Sequence, residues 1–133
     1  MDKPRPVPTA TSQPFWDALR EERIDLQQCD DCGTWVYYPR ARCPHCLSDH
    51  LTWTTVSGEG TVFTFSVAPQ PTASPFADEV PQLLAMVELT EGVRLSTTLV
   101  DVASDAITIG MRVQPMFDHG GDGMTLVRFR PAD

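Results

Sequence analysis

The chain has 133 residues, with ten basic side chains against eighteen acidic ones and a formal charge of −8. That length allows one ordinary domain or two very small ones, with roughly two-thirds of the unfolded surface buried. The charge sets the chain against phosphate backbones unless its few cations, nine of them Arg, are clustered. No apolar run approaches the roughly 18 residues of a membrane span.

Residues 1–10 carry Pro4, Pro6 and Pro8 and little to bury, so a flexible tail is expected. Met1-Asp2-Lys3-Pro4 leads into that polar stretch and not into an apolar signal sequence, which predicts a cytoplasmic, reducing setting. Ser12 is a good N-cap and Pro14 fits a first helical turn, so Phe15 to Glu22 reads as a short helix. Phe15, Trp16 and Leu19 share a stripe. The stripe either packs on the chain's own core or presents Phe15 and Trp16 to a partner.

Ile24, Leu26 and Gln28 alternate with other residues and form a strand leading into Cys29-Asp30-Asp31-Cys32-Gly33. A second pair, Cys43-Pro44-His45-Cys46, follows ten residues after the first. Two Cys-x-x-Cys turns at this spacing fit a hairpin around one tetrahedral ion, with each sulfur about 2.3 Å from it. Cys29, Cys32, Cys43 and Cys46 are the expected ligands of a structural Zn2+. Disulfide pairing is disfavoured in a reducing compartment. A redox dithiol would need a helix after Cys43-Pro44-His45-Cys46, where Leu47-Ser48-Asp49 stands instead. Between the pairs, Trp35, Tyr37 and Tyr38 lie near Arg40 and Arg42. The rings either cover the metal site or, with the guanidinium groups, form a surface for a phosphorylated, ring-bearing ligand.

From Leu51 onward the pattern is β. Leu51 and Trp53 close the ribbon, and Gly58-Glu59-Gly60 marks a bulge or bend ahead of a strand in which Phe63, Phe65 and Val67 are expected to face one way. Leu83 to Leu89 is apolar on both faces and reads as a central strand. Val93, Leu95, Thr97 and Leu99 alternate in the next. A fourth strand is expected from Ile109 to Phe117, a hairpin loop at 118–123, and a fifth strand from Met124 to Arg130. Five strands with a long connection after the third predict an OB-type barrel. The proline-rich connection Pro69 to Pro81 occupies the place of an OB binding loop, and Phe76 within it is a further candidate for a partner interface. The expected class is mainly β: tail 1–10, helix and ribbon 11–55, and OB fold 56–133.

No nucleophile elbow, phosphate loop or helically spaced carboxylate pair is visible, and four thiolates closed on an ion leave no position for water. His119 beside Asp122 reads as turn chemistry. These features predict a binding or assembly module. Zinc ribbons and OB barrels also bind single-stranded nucleic acid, but only Tyr37, Tyr38, Arg40 and Arg42 cluster in support, and the net charge opposes it.

The chain resembles a family of acyl-CoA-associated proteins (domain of unknown function thirty-five). The matching motifs are Pro14-Phe15-Trp16, Cys29-x-x-Cys32-Gly33, Tyr38-Pro39-Arg40, Cys43-Pro44-x-Cys46, Ser57-Gly58-x-Gly60-Thr61-Val62, the run Val87 to Arg94, Ile109-Gly110-Met111-x-Val113 and Phe129-Arg130-Pro131. A common family form has two prolines before the arginine; here Tyr38 takes the first place. The resemblance implies an N-terminal rubredoxin-like zinc ribbon, a C-terminal OB fold and a non-catalytic role beside thiolase-fold enzymes. Among these are the lipid-transfer-protein-like aldolases that shorten steroid side chains by retro-aldol cleavage. Other implied partners are thiolases and hot-dog-fold enoyl-CoA hydratases. It also implies an acyl-CoA shared with the partner, for which Tyr38, Arg40 and Arg42 are the candidate contacts.

Overall fold

The computed structural model describes residues 8–68, 82–119 and 124–132. Phe76 with the rest of the proline-rich connection, the first seven residues of the tail, and residues 120–123 of the expected hairpin loop lie outside the described residues.

Helix α1 (Gln13–Arg20) is shorter than expected at its C-terminal end. Glu22 adopts φ 59°, and the N–H groups of Glu21 and Arg23 donate to the Ala18 carbonyl at 3.0 and 3.1 Å. That closure places Glu22 in the left-handed position that glycine usually fills. Ser12 stands at the N-cap but does not cap the helix with its side chain. Its hydroxyl turns back to accept the Thr9 N–H at 2.9 Å.

Three strands make the ribbon sheet, in the order β2 (Trp35–Val36), β1 (Ile24–Cys29), β3 (Leu51–Val56), all antiparallel. Ile24, Leu26 and Cys29 face inward, and so does Gln27, at 5 % exposed. Five strands make the second sheet, in the order β6 (Arg94–Thr98), β5 (Gln82–Leu89), β4 (Gly60–Ala68), β7 (Arg112–His119), β8 (Thr125–Pro131). A parallel bridge between Leu99 and Phe129 brings β6 against β8, and the Val100 N–H donates to the Phe129 carbonyl at 2.8 Å. This is the closure expected of an OB barrel.

Four strand expectations are corrected by the ladders. Phe63 does not face the same way as Phe65 and Val67. The register shifts between Val62 and Thr64, so Phe63 is the extra residue of a bulge and lies outside, 42 % exposed, under the Arg94 guanidinium at 3.8 Å. Val62 takes the buried place at 1 % exposed. β5 is central but not buried on both faces, since Leu84 is 36 % exposed. β7 begins at Arg112, because Gly110 at φ 90° turns the chain and leaves Ile109 exposed. It continues through Asp118 and His119 instead of ending in a loop.

β7 pairs with β4 only at Val113 and Arg112 and with β8 from Val113 to His119. Pro115 therefore sits where, among the described residues, one side of β7 has no ladder partner, the position that suits a residue without an N–H. Gly60 lies between two neighbours, opposite Leu89 on β5 and Val113 on β7.

One apolar cluster joins both parts. Phe15, Leu19, Ile24, Leu26 and Val56 pack together with Val62, Val87, Leu95, Val113 and Phe129. Ribbon and barrel share a core.

Candidate metal and partner site

Each cysteine pair sits on a tight turn built the same way. In the first, the Gly33 N–H donates to the Cys29 carbonyl at 2.8 Å, with Gly33 at φ 79°. In the second, the Leu47 N–H donates to the Cys43 carbonyl at 2.9 Å, with Leu47 at φ 65°. Only the first turn carries the glycine that betrays this geometry in sequence. The second holds an exposed leucine in the same conformation.

The turns bring Cys29, Cys32, Cys43 and Cys46 together, with all four Sγ atoms within 4.8 Å of one another. Across the turns, Cys29 Sγ lies 3.5 Å from Cys46 Sγ, and Cys32 Sγ lies 3.6 Å from Cys43 Sγ. A tetrahedral ion with bonds of about 2.3 Å would hold its sulfurs roughly 3.8 Å apart, so the cage fits one metal ion. Cys29 and Cys43 are buried, and Cys32 and Cys46 form the exposed rim. The thiols differ in acidity. Hydrogen bonds from the Thr34 hydroxyl and backbone N–H draw Cys32 down to about 6. At Cys46 the Ser48 N–H acts in the same direction but is outweighed by Cys29, desolvation, Cys32 and Cys43, which push it up to about 12. Four crowded thiols resist ionising together, and a divalent cation removes that conflict.

Further hydrogen bonds tie the turns to each other and to the sheet. Asp31 Oδ2 accepts from the Ser48 hydroxyl and lies 3.0 Å from His50 Nδ1, and the His50 N–H donates to Ser48 Oγ at 3.0 Å. Asp30 accepts from the Thr52 hydroxyl at 2.8 Å. The backbone amide of His45 donates to Cys43 Sγ at 3.3 Å. Gln27 clamps the connection between the two turns, donating to the Arg40 carbonyl and accepting from the Arg40 N–H, each at 2.8 Å. Nothing in the β-pattern marks Gln27 as buried; the orphaned backbone groups at Arg40 are what it serves.

The candidates for ligand and partner contact separate into two groups. Phe15 and Trp16, at 1 % and 9 % exposed, belong to the core. This corrects the reading that they face a partner, because their rings pack edge-on to each other, with centroids 5.0 Å apart, and against Tyr37 and Tyr38. Tyr38 is 40 % exposed, and its hydroxyl accepts the Trp16 indole N–H at 3.1 Å. Arg40 and Arg42 are exposed on the same connection, and Arg42 Nη1 donates to the Leu47 carbonyl at 3.2 Å. His119 sits at the end of β7, its Nδ1 2.9 Å from the buried Thr125 hydroxyl and its Nε2 3.4 Å from Glu22 at the end of α1. It links barrel to helix, a role the sequence does not signal.

Residues 16–52 match the family described as "ChsH2, rubredoxin-like zinc ribbon domain", and residues 53–118 match "ChsH2, C-terminal OB-fold domain". Over 132 residues the chain is 39% identical to a probable enoyl-CoA hydratase alpha subunit of Thermomonospora curvata, covering 98% of this chain and 40% of that protein. It thus spans about two-fifths of that relative's length. A DUF35 domain-containing scaffold protein of Methanocaldococcus jannaschii is 34% identical over 117 residues, covering 80% of this chain and 79% of that protein. Among solved structures, a chain of the "Ltp2-ChsH2(DUF35) aldolase" superposes with a TM-score of 0.85 at 37% identity, covering 97% of this chain and 100% of that one.

Proposed function

Because this chain belongs to the ChsH2 (DUF35) family of zinc-ribbon and OB-fold proteins, we propose that it is a non-catalytic subunit of an acyl-CoA-processing enzyme with a thiolase fold. The partner in this reading is an aldolase that performs retro-aldol cleavage of a steroid side-chain acyl-CoA. The observation that carries it is the end-to-end match with a chain of the Ltp2-ChsH2(DUF35) aldolase. The partner supplies the base that deprotonates the substrate hydroxyl and the groups that stabilise the thioester enolate released by carbon–carbon cleavage. This chain supplies a rigid platform whose ribbon is held by a structural Zn2+ on Cys29, Cys32, Cys43 and Cys46. A reducing cytoplasmic setting keeps those thiols available to the ion.

Tyr38, Arg40 and Arg42 are the residues of this chain that we assign to acyl-CoA, with the ring placed for stacking and the guanidinium groups for phosphate. Their common placement on one exposed connection supports that role. Phe76 is the candidate contact with the partner that lies outside the described residues. A second reading pairs the chain with a hot-dog-fold enoyl-CoA hydratase and is favoured by the hydratase alpha subunit that contains a segment matching nearly all of this chain.

Copurification from the native source, followed by identification of the associated enzyme, separates these readings. Co-expression with the thiolase-fold partner is expected to give a stable complex that cleaves the acyl-CoA, with the isolated chain inactive. Turnover by the isolated chain at the rate of the complex would overturn the non-catalytic assignment, and association with a hydratase alone would overturn the aldolase.

A further inference from the structure

The four thiols close the metal cage, but the exposed rim, Cys32 and Cys46, is where a competing ligand first gains access. A hydrogen-bonded strap links the turns that carry these two residues. Asp31 precedes Cys32 in the first turn, while Ser48 and His50 follow Cys46. Asp31 Oδ2 takes the Ser48 hydroxyl and faces His50 Nδ1 at 3.0 Å, and Ser48 Oγ in turn accepts the His50 N–H at 3.0 Å. Alongside it, the Asp30 N–H donates to the His50 carbonyl at 2.8 Å.

Ser48 and His50 converge on Asp31, yet they are not arranged for nucleophilic catalysis. The Ser48 hydroxyl is directed to the carboxylate, and the imidazole does not stand over it as a base. What the three residues share is that their contacts through Asp31 join the first cysteine turn to the segment that follows the second. We infer that Asp31, Ser48 and His50 form an outer clasp that sets how slowly the metal leaves, with Asp31 as a positioning residue acting through Cys32, and Ser48 through Cys46. Metal exchange then requires two events: parting of the clasp, then substitution at the exposed thiolates. This inference concerns the chain's own ion and holds whichever enzyme the chain serves.

The asparagine variant distinguishes the clasp from simple electrostatics. A carboxylate attracts a nearby cation whether or not it bonds Ser48, so on charge alone its replacement by alanine or by asparagine would loosen the site equally. As a clasp, its removal loosens the site, and outer-shell changes of this kind typically alter metal affinity by about 10–100-fold.

The test uses the zinc-loaded full chain and measures transfer of the ion to a chromogenic chelator. Asp31→Ala and Ser48→Ala are expected to release zinc about tenfold faster or more. Asp31→Asn keeps an acceptor for Ser48 and is expected to release it near the wild-type rate. The visible bands of the cobalt-substituted forms should stay those of a tetrahedral tetrathiolate. Release at the wild-type rate in both alanine variants overturns the clasp. Equal acceleration in Asp31→Asn overturns it in favour of charge, and slower release in Asp31→Ala overturns it outright. An acceleration accompanied by a lower melting temperature of the metal-free variant than of the metal-free wild type overturns it in favour of general destabilisation, and Ser48→Ala, which removes a single hydroxyl, keeps that comparison available where Asp31→Ala folds poorly.

Discussion

The Gln27 side chain hydrogen-bonds both backbone polar groups of Arg40, donating to one and accepting from the other at 2.8 Å. The pair joins the central strand of the ribbon to the connection between the metal-binding turns, and Gln27 is nearly inaccessible. Removing the side chain leaves two backbone groups short of a partner, each costing about 1–3 kcal/mol where water does not reach. Gln27→Leu is therefore expected to lower stability by about 2–4 kcal/mol in denaturant unfolding of the metal-loaded chain. A loss below about 0.5 kcal/mol would mean that water satisfies Arg40 without help.

Metal removal should be felt throughout the chain. Ile24 and Leu26 of the ribbon and Phe129 and Val113 of the barrel lie in one apolar cluster. A chelator that strips the ion, or Cys43→Ser at a buried ligand, should therefore lower the melting of barrel and ribbon together in a single transition. Two separated transitions, with the barrel unmoved, would show that the shared core does not couple them.

Two glycines should respond differently to alanine. At Gly60 an added Cβ would meet the Glu88 carbonyl oxygen at 2.5 Å and Val87 Cγ1 at 2.9 Å. Backbone cannot yield as a side-chain tip does, so Gly60→Ala is expected to cost about 3 kcal/mol, the upper end of overpacking. At Gly33 nothing lies within 4 Å, and Gly33→Ala meets only the left-handed backbone, for about 1 kcal/mol. Denaturant midpoints at constant slope give the comparison, and equal losses would contradict it.

The alkaline limb of stability should carry the signature of Tyr37. Burial first, and Tyr38 second, raise its pKa above the usual 10.0. A raised folded value means that the folded state keeps a proton the unfolded chain gives up. The corresponding stability is complete below pH 10 and is lost as pH rises through the folded value. Tyr37→Phe removes this loss, so its stability should decline less steeply above pH 10 than that of the wild type, in unfolding series run across that range. Parallel alkaline limbs would show that Tyr37 does not titrate in the window.

What the sequence makes legible here follows the strength of local chemistry. The four cysteines, their spacing and Gly33 announce the cage because metal ligation tolerates few alternatives, and the alternation of Val93, Leu95 and Leu99 announces a barrel strand. The alternating run extrapolates to Phe63, Phe65 and Val67 on one face; a bulge changes the parity, and nothing between Val62 and Thr64 advertises it. Glu22 and Leu47 adopt left-handed backbone without being glycine, so the end of the helix and the second metal turn have no local marker. Gln27, Ser48 and His119 act through partners distant in the chain, and their roles emerge only from tertiary contacts. Phe15 and Trp16 look the same in sequence whether they anchor a partner or a core, and only their burial decides between the two.

Pro115 has a bearing on how copies of the protein meet. Among the described residues the β4 side of β7 offers no continuous ladder beyond Val113, with Gly58 set against the Pro115 ring, and a strand border that lacks its ladder can invite a neighbouring molecule to extend the sheet. Proline interrupts the row of donors there, so a would-be filament misses a rung at its first step. Concentrated solutions should for that reason resist cross-β growth along this border, and assembly is left to surfaces recognised by side chains.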